Sequence, residues 1–211
     1  MPHRIPNAER WSIVIPVKPA GIGKSRLGAS PGLARAIALD SIEAVLRAPG
    51  VGRVVVVTAD AELPAELAGI ASEAAELVLV LEREPAGISA AITSGLTEAM
   101  SGPRAVLLGD VPALDPAELD AALAAAGQHP RSFVPDADGA GTVLVTAREG
   151  VPFVEAFGPG SAAAHRELGL AELPVDRESG LRRDVDTPEQ LAEVVRRSPR
   201  SRTARVAAQP A

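Results

Sequence analysis

The sequence predicts an α/β protein with a mostly parallel sheet and helices on both faces. Between residues 12 and 126, apolar strand-like segments alternate four times with segments of helical periodicity. The four valines at 54–57 leave no polar face, which is typical of a strand buried inside a parallel sheet. Parallel strands joined through helices require right-handed crossovers. At 211 residues, the chain has the length of one such domain, or at most two small ones.

Four strand–helix units make up the first half of the chain. Ser12 to Val17 is rich in β-branched residues and predicts the first strand. The helical spacing that begins at Pro31 ends before Pro49-Gly50. By the same criteria the predicted strands are 12–17, 53–58, 77–81 and 105–108, and the predicted helices are 31–48, 62–76, 86–100 and 116–126.

After residue 126 the pattern becomes less regular. Strands at 132–135 and 142–147 flank an Asp-Gly-rich loop and predict a hairpin-like excursion. The remaining predicted elements are a short helix at 160–168, a strand at 171–175 and a final helix at 187–197.

The end of the chain differs in composition from the rest. From Ser198 onward it carries three arginines among Ser, Pro and Ala, so we expect this segment to be disordered. We therefore expect one folded domain over residues 11–197, with flexible segments at 1–10 and 198–211. No internal repeat or interdomain linker is visible.

Composition excludes several classes of function. The chain has no cysteine, which rules out disulfides, thiol catalysis and thiolate zinc sites. The net charge of −6 argues against a nucleic-acid-binding surface. Residues 1–10 show no signal peptide, and no apolar stretch approaches the roughly 20 residues that span a bilayer. We therefore expect a cytoplasmic protein that binds neither nucleic acid nor membranes, and nothing in the sequence specifies its oligomeric state.

An aspartate follows the fourth predicted strand. Asp110 comes just after the apolar run 105–108, and Pro112 prevents further sheet pairing. In open α/β sheets, ligands bind beyond the carboxyl ends of the strands, and a carboxylate there is stabilised when it holds a cation. The alternative role, capping the next helix, is already filled by Asp115. We interpret Asp110 as a metal ligand.

A glycine-rich basic loop follows the first strand. It runs from Lys18 to Leu27 and includes Lys24 and Arg26. Backbone N–H groups of such a turn bind phosphate, and cationic side chains add charge. The P-loop and the dinucleotide fingerprint are both absent, because Lys18 and Arg26 occupy positions that require glycine. The loop therefore indicates a polyphosphate ligand, with a solvated basic loop as the alternative.

A second pair of carboxylates lies near the end of the predicted domain. Asp184 and Asp186 are spaced i, i+2, so in an extended chain both side chains point the same way and can hold one or two cations. Asp186 before Thr187-Pro188 also has the pattern of a helix N-cap followed by a first-turn proline. Together with Asp110, the pair suits a Mg²⁺ site that engages phosphates.

Two glycine-rich turns are candidates for anion binding. Gly158 to Ser161 leads into a predicted helix, so its N–H groups can bind phosphate or carboxylate, and Thr142 offers a hydroxyl after the loop at 136–141. Taken alone, each is better explained as an ordinary turn. His165 has no partner at ligand spacing, so we expect a structural or solvent-facing histidine rather than a base.

Taken together, these motifs resemble the 2-phospho-L-lactate/phosphoenolpyruvate guanylyltransferases, which act in the biosynthesis of the deazaflavin coenzyme F420. The resemblance extends in the same order from about Trp11 to Val195. Its motifs are Ile-Pro-Val-Lys at 15–18, Lys-Ser-Arg-Leu at 24–27, Gly-Asp-Val-Pro-Ala-Leu at 109–114, Gly-Ala-Gly-Thr at 139–142, Phe-Gly-Pro-Gly-Ser at 157–161 with His165, and Asp-Val-Asp-Thr-Pro at 184–188.

The resemblance implies a single-domain, Rossmann-like nucleotidyltransferase fold of the glycosyltransferase-A type. It places the GTP triphosphate on the basic loop, Mg²⁺ on three aspartates, and the acceptor on the two glycine-rich turns. The residues implied for these three roles are, in order, Lys18, Lys24 and Arg26; Asp110, Asp184 and Asp186; and Thr142, Gly158 and Ser161. Lys24, Arg26 and Asp110 are the implied catalytic residues.

The implied reaction is an in-line attack by the acceptor's phosphate on the α-phosphorus of GTP, with release of pyrophosphate. Alanine and arginine richness is typical of a high-GC genome, and actinobacterial members of the family use phosphoenolpyruvate, which favours that acceptor over 2-phospho-L-lactate. One departure concerns guanine preference, because Ser89 stands where relatives often have asparagine. The alternatives are a nucleotidyltransferase for another phosphorylated acceptor and a non-catalytic GTP-binding module.

Overall fold

A computed structural model describes residues 10–19, 27, 29–70 and 74–209. Seven strands form one sheet: β1 (Trp11–Val17), β2 (Val51–Thr58), β3 (Glu76–Leu81), β4 (Arg104–Leu107), β5 (Arg131–Pro135), β6 (Thr142–Ala147) and β7 (Ala171–Glu172). Their order across the sheet is β3-β2-β1-β4-β6-β5-β7. β6 is antiparallel to both of its neighbours, whereas every other pairing is parallel. The mostly parallel, mixed α/β sheet is therefore confirmed.

The seven helices of the described residues lie between and after these strands. They are α1 (Pro31–Leu46), α2 (Leu63–Leu67), α3 (Ile88–Thr97), α4 (Pro116–Ala126), α5 (Ser161–Glu167), α6 (Pro188–Arg197) and α7 (Arg202–Ala207). A 3-10 turn, Gly180–Arg182, precedes α6. Within this part of the chain, no helix has both the length and the apolar character needed to cross a membrane.

Both faces of the sheet are covered, and the alternation along β1 shows how. Ile13 and Ile15 are fully buried in the core that α1 and α4 cover. Val14 points to the other face and joins the smaller core beneath α3. On that face Gly95 of α3 sits so close to the sheet that a Cβ there would lie 2.8 Å from Cγ2 of Val57. Two-sided burial explains why these strands have no polar face.

Several elements are shorter than the sequence predicts. The expected helix at 62–76 is limited to α2, with residues 71–73 outside the described residues, and the expected strand at 171–175 is limited to the two residues of β7. Pro64 lies in the first turn of α2 and Gly69 just past its end, a pattern that suits a short helix.

The segment from Ser198, which we expected to be disordered, instead contains α7. Asp40 on α1 anchors its first turn, because the Asp40 carboxylate accepts hydrogen bonds from the backbone N–H groups of Arg202 and Thr203 and from the Thr203 hydroxyl. Thr203 and Ala204 are buried. Composition predicted disorder, but a partner more than 150 residues away in the sequence orders the segment.

Candidate active site

A cavity of about 820 Å³ opens at the carboxyl ends of the parallel strands. β2 lies on one side of β1 and β4 lies on the other, so the direction in which strands are added to the sheet reverses beside β1. Such a reversal is where open α/β sheets bind ligands. Residues following β1, β3, β4 and β5 line the cavity, as do the first residue of β6 and the segment before α6.

Asp110 lines this cavity, as its position after β4 predicts. Its neighbour Gly109 allows β4 and β1 to converge, since a Cβ at 109 would lie 3.1 Å from Cγ2 of Val17 and 3.2 Å from Cγ2 of Ile15. Asp115 caps α4 by accepting a 2.8 Å hydrogen bond from the N–H of Ala117. Asp110 is therefore not needed as a helix cap.

The Asp184–Asp186 segment runs beside Asp110. Val185 is fully buried against Leu33 and Ile37 of α1. Because side chains alternate along an extended segment, Asp184 and Asp186 on either side of Val185 point the other way and line the cavity. Asp186, which also has the sequence pattern of an N-cap, does not cap the helix. Thr187 caps α6 in a reciprocal capping box with Gln190.

These residues have the chemistry of a Mg²⁺ site but do not form one without further ligands. The backbone N–H of Val185 donates a 3.0 Å hydrogen bond to the carbonyl of Asp110, which brings the three aspartates to one wall of the cavity. Their carboxylate oxygens are the hard ligands that Mg²⁺ prefers. Within the described ranges, however, no three His, Cys, Asp or Glu side chains are arranged to hold a metal ion. An Mg²⁺ ion at these carboxylates would have to take the rest of its shell from water and phosphate.

Of the basic loop, the structure describes only its two ends. Lys18 and Pro19 line the cavity next to the end of β1, and the Lys18 side chain is exposed. Lys24 and Arg26 lie outside the described residues. Their assignment to a triphosphate remains a prediction, whereas Lys18 stands at the edge of the cavity, as that prediction requires.

The loop that joins β5 to β6 is held by hydrogen bonds to the side chain of its own Asp136 and by an arginine from outside the loop. The Asp136 carboxylate accepts hydrogen bonds from the N–H groups of Ala140 and Gly141, at 3.0 and 2.7 Å. A Cβ at position 141 would clash with that carboxylate. The Asp136 carbonyl in turn accepts from Nε and Nη2 of the buried Arg182. This hydrogen-bonded turn places Thr142, the first residue of β6, in the wall of the cavity.

Facing Thr142 is the turn from Gly158 to Ser161, which begins α5. Gly158 and Gly160 have φ of +145° and +71°, a region that favours glycine. Ser161 is buried, and the N–H of Ala162 donates to the carbonyl of Ala140, which joins the two turns. Thr142, Gly158 and Ser161 all line the cavity, so the structure brings the three predicted acceptor-binding residues together.

His165 lies behind this pair of turns rather than in the cavity. Its imidazole is fully buried, with the rings of Phe133 and Phe157 at 5.6 and 5.5 Å between centroids. Burial lowers the pKa of His165, an effect that the charge of Glu155 and the Ser161 carbonyl only partly oppose. Of the two alternatives from sequence, structural and solvent-facing, the structural one is observed.

The opposite end of the cavity, near β3, is more apolar. Val57, Ile88 and Ala91 line it, and Glu82 stands directly after β3. Ser89 does not line the cavity; its side chain is exposed on the first turn of α3. The substitution of serine for asparagine noted in the sequence therefore falls outside the cavity wall.

Sequence reasoning missed two residues. Glu82 was detectable, because it follows a predicted parallel strand just as Asp110 does. Arg182 had no comparable signal, since its partners are main-chain carbonyls of Asp136 and Val175 that no residue pattern reveals.

Comparison with solved structures supports the same architecture. The fold is similar to a crystal structure described as a putative nucleotide-diphospho-sugar transferase from Desulfovibrio desulfuricans, with a TM-score of 0.63, 19% identity and 93% of each chain covered. It is also similar to 4-diphosphocytidyl-2C-methyl-D-erythritol synthase from Anaerococcus prevotii, with a TM-score of 0.58, 9% identity and coverage of 92% and 96%. Residues 33–174 match the family described as MobA-like NTP transferase domain. Fold and sequence thus define a nucleotidyltransferase.

Relatives that align over most of the chain identify the family within the nucleotidyltransferases. The chain is 42% identical to the phosphoenolpyruvate guanylyltransferase of Thermomonospora curvata over 94% of its own length and 89% of the relative's. It is 46% identical to the protein of the same name from Salinispora arenicola, with 92% of each chain covered. The chain belongs to the phosphoenolpyruvate guanylyltransferase family.

Proposed function

We propose that this protein transfers GMP from GTP to phosphoenolpyruvate in the biosynthesis of coenzyme F420. The products are enolpyruvyl-diphospho-guanosine and pyrophosphate. Membership of the family supports the reaction, and both substrates are soluble metabolites, which suits a cytoplasmic location.

A single observation carries the proposal: one continuous cavity connects the apolar end at β3 with the paired turns at β6. Four inter-strand spacings separate β3 from β6, which at about 4.8 Å each is roughly 19 Å. A nucleoside triphosphate with a three-carbon acceptor has a comparable extent. In this arrangement guanine occupies the β3 end, the phosphates lie between Lys18 and Asp110, and the acceptor lies between Thr142 and Gly158.

The bond changes need no general base. A phosphate oxygen of phosphoenolpyruvate, already anionic, attacks the α-phosphorus of GTP. The bond from that phosphorus to the oxygen bridging to the β-phosphorus breaks, and pyrophosphate leaves with the electron pair. Lys18, Lys24 and Arg26 neutralise the triphosphate, and the paired turns hold the acceptor in line for the attack.

The proposal includes Mg²⁺ bound by Asp110, Asp184 and Asp186 together with substrate phosphates. When bound, the ion neutralises charge on the phosphates and acts as a Lewis acid. The three carboxylates line the same cavity, and among the described residues no three such side chains are arranged to hold a metal ion by themselves, so in this proposal the ion takes further ligands from substrate phosphates and water. This predicts that metal and GTP bind more tightly together than either does alone.

Pyrophosphate release tests the function. GTP with Mg²⁺ is offered with phosphoenolpyruvate and 2-phospho-L-lactate in parallel, and ATP replaces GTP as the nucleotide control. We expect turnover with GTP and phosphoenolpyruvate. Turnover with 2-phospho-L-lactate alone would show that the acceptor is 2-phospho-L-lactate rather than phosphoenolpyruvate. Turnover only with a sugar phosphate or a molybdopterin-type acceptor would assign the protein to another substrate class. GTP binding without pyrophosphate release from any acceptor would make the protein a binding module.

A further inference from the structure

The two ring nitrogens of His165 have different partners. Nε2 lies 2.9 Å from the backbone nitrogen of Ala156, which is a donor, so Nε2 must accept and carry no proton. A ring with one unprotonated nitrogen is neutral, and the full burial of the imidazole, which lowers the pKa of His165, favours the same form. The single proton of the ring therefore resides on Nδ1.

Nδ1 lies 2.9 Å from the hydroxyl oxygen of Thr142. Because Nδ1 carries the proton, the Thr142 oxygen is the acceptor in this contact, and the hydroxyl proton must point elsewhere. In the described ranges the Thr142 hydroxyl has no other hydrogen-bond partner. Thr142 lines the cavity and His165 does not, so the proton is available to a ligand in the cavity.

We propose that His165 is a positioning residue that fixes the Thr142 hydroxyl as a hydrogen-bond donor toward an anionic oxygen of the acceptor substrate. This inference rests on the proposed function for the identity of the acceptor. A free threonine hydroxyl presents either its proton or its lone pairs, and lone pairs repel an anion. Because Nδ1 donates to the Thr142 oxygen, the hydroxyl proton points toward the cavity even before the substrate binds.

His165 also connects the two turns that form the acceptor end. Its Nδ1 contact reaches Thr142 at the start of β6, and its Nε2 contact reaches Ala156, just before Phe157 and Gly158. The carboxylate of Glu155 accepts from the N–H of Phe157 and stabilises the same stretch. One side chain thus contacts both turns of the acceptor end.

The two contacts can be removed separately. In His165→Asn, the amide nitrogen falls near the place of Nδ1, so donation to Thr142 is kept and the Ala156 contact is lost. In His165→Gln, the amide oxygen reaches the place of Nε2, so the Ala156 contact is kept and donation to Thr142 is lost. Thr142→Val removes the hydroxyl itself, and Thr142→Ser retains it.

Steady-state kinetics with wild-type protein and these variants decide the matter. We expect His165→Gln and Thr142→Val each to raise KM for phosphoenolpyruvate about tenfold, the scale of one hydrogen bond to a charged group, with KM for GTP unchanged. His165→Asn and Thr142→Ser should stay within about threefold of wild type, and Thr142→Val/His165→Gln should be no worse than Thr142→Val alone. Equal losses in His165→Asn and His165→Gln, or additive losses in the double variant, would overturn the proposal.

The tautomer is measurable without any variant at position 165. In wild-type protein labelled with ¹⁵N-histidine, the buried imidazole should show a protonated Nδ1 and an unprotonated Nε2, and the chain's three histidines keep the spectrum simple to assign. A protonated Nε2 would refute the inference even if the variants fail to fold. If wild-type protein turns over neither acceptor, the proposed function fails, and this spectrum still tests the His165–Thr142 contact.

Discussion

The carbonyl of Asp110 and the N–H of Val185 are joined by a 3.0 Å hydrogen bond beside the cavity. Val185 is fully buried against α1, so Asp184 and Asp186 on either side of it cannot turn away from Asp110 without exposing an apolar side chain. One backbone bond and one buried valine thus keep three carboxylates on the same wall.

Replacing Asp110 tests its predicted role as a metal ligand. We expect Asp110→Ala to lower kcat/KM by about 100-fold or more, because it removes charge stabilisation at the transferred phosphate. Asp138→Ala is the matched control, since Asp138 is exposed and does not line the cavity. GTP with Mg²⁺ should raise the Tm of wild type and of the control but not of Asp110→Ala. An Asp110→Ala protein with most of its activity would exclude the metal role.

Gly158 offers a test that separates backbone strain from function. Its φ of +145° disfavours any side chain, while a Cβ would meet nothing within 4 Å, so Gly158→Ala should cost about 1–2 kcal/mol of folding stability through conformation alone. Gly150, with φ of +74° and equally open surroundings, should lose a similar amount on substitution by alanine. Only Gly158→Ala should raise KM for phosphoenolpyruvate. A rise in both variants would indicate a general loss of structure.

Arg182 should contribute strongly to stability although it is not in the cavity. Its guanidinium donates to the carbonyls of Asp136 and Val175, and burial followed by the like charge of Arg177 lowers its pKa. Arg182→Met leaves both carbonyls without these donors, and we expect a loss of about 2–4 kcal/mol in chemical denaturation. Arg177→Met, which removes an exposed repelling charge, should not destabilise the protein. Similar unfolding midpoints for the two variants would contradict this role of Arg182.

The buried His165 should make stability depend on pH. Its folded-state pKa lies below the ordinary value of 6.5, so below that pH the unfolded chain binds a proton that the folded protein resists. Stability is therefore fully present above about pH 6.5 and falls as the pH decreases through that value. Urea unfolding between about pH 5 and 8 measures this slope. The slope should decrease in His165→Gln and persist in His129→Gln; an unchanged slope in His165→Gln would exclude His165 as its source.

Anchoring of α7 by Asp40 can be tested by proteolysis. Asp40→Ala removes the acceptor for two backbone N–H groups and the Thr203 hydroxyl, and we expect about 2–3 kcal/mol less stability for this helix. Trypsin should then cleave at Arg202 and Arg205 much faster than in wild type. Glu43→Ala, which affects only the Arg202 side chain, should cause a smaller increase. Equal cleavage of both variants would mean that Asp40 is not the anchor.

Much of the sheet was predictable because its signals are local. The valines of β2 and the β-branched residues of β1 identify buried strands without reference to the rest of the chain. Asp115 followed by Pro116 marks the start of α4 in the same way. The placement of Asp110 follows from one further rule, that ligands bind where parallel strands end.

What could not be predicted depends on distant partners. The structural role of Arg182 depends on hydrogen bonds to the carbonyls of residues 136 and 175. The order of α7 depends on a carboxylate of α1. The cap of α6 is the exception, because Thr187 followed three residues later by Gln190 is a local capping-box pattern that identifies Thr187 rather than Asp186 as the cap. The contacts of Arg182 and α7 arise when the chain folds back on itself, and no residue pattern within a short window records them.

The position of β1 has a consequence during synthesis. It is synthesised before both of its partners, β2 on one side and β4 on the other, so both of its edges stay open until residues 51–58 and 104–107 have followed. An apolar strand with open edges is prone to pair with the wrong chain. The nascent chain therefore passes through a long interval in which Trp11 to Val17 needs shielding, and chaperone demand should be highest before β4 emerges.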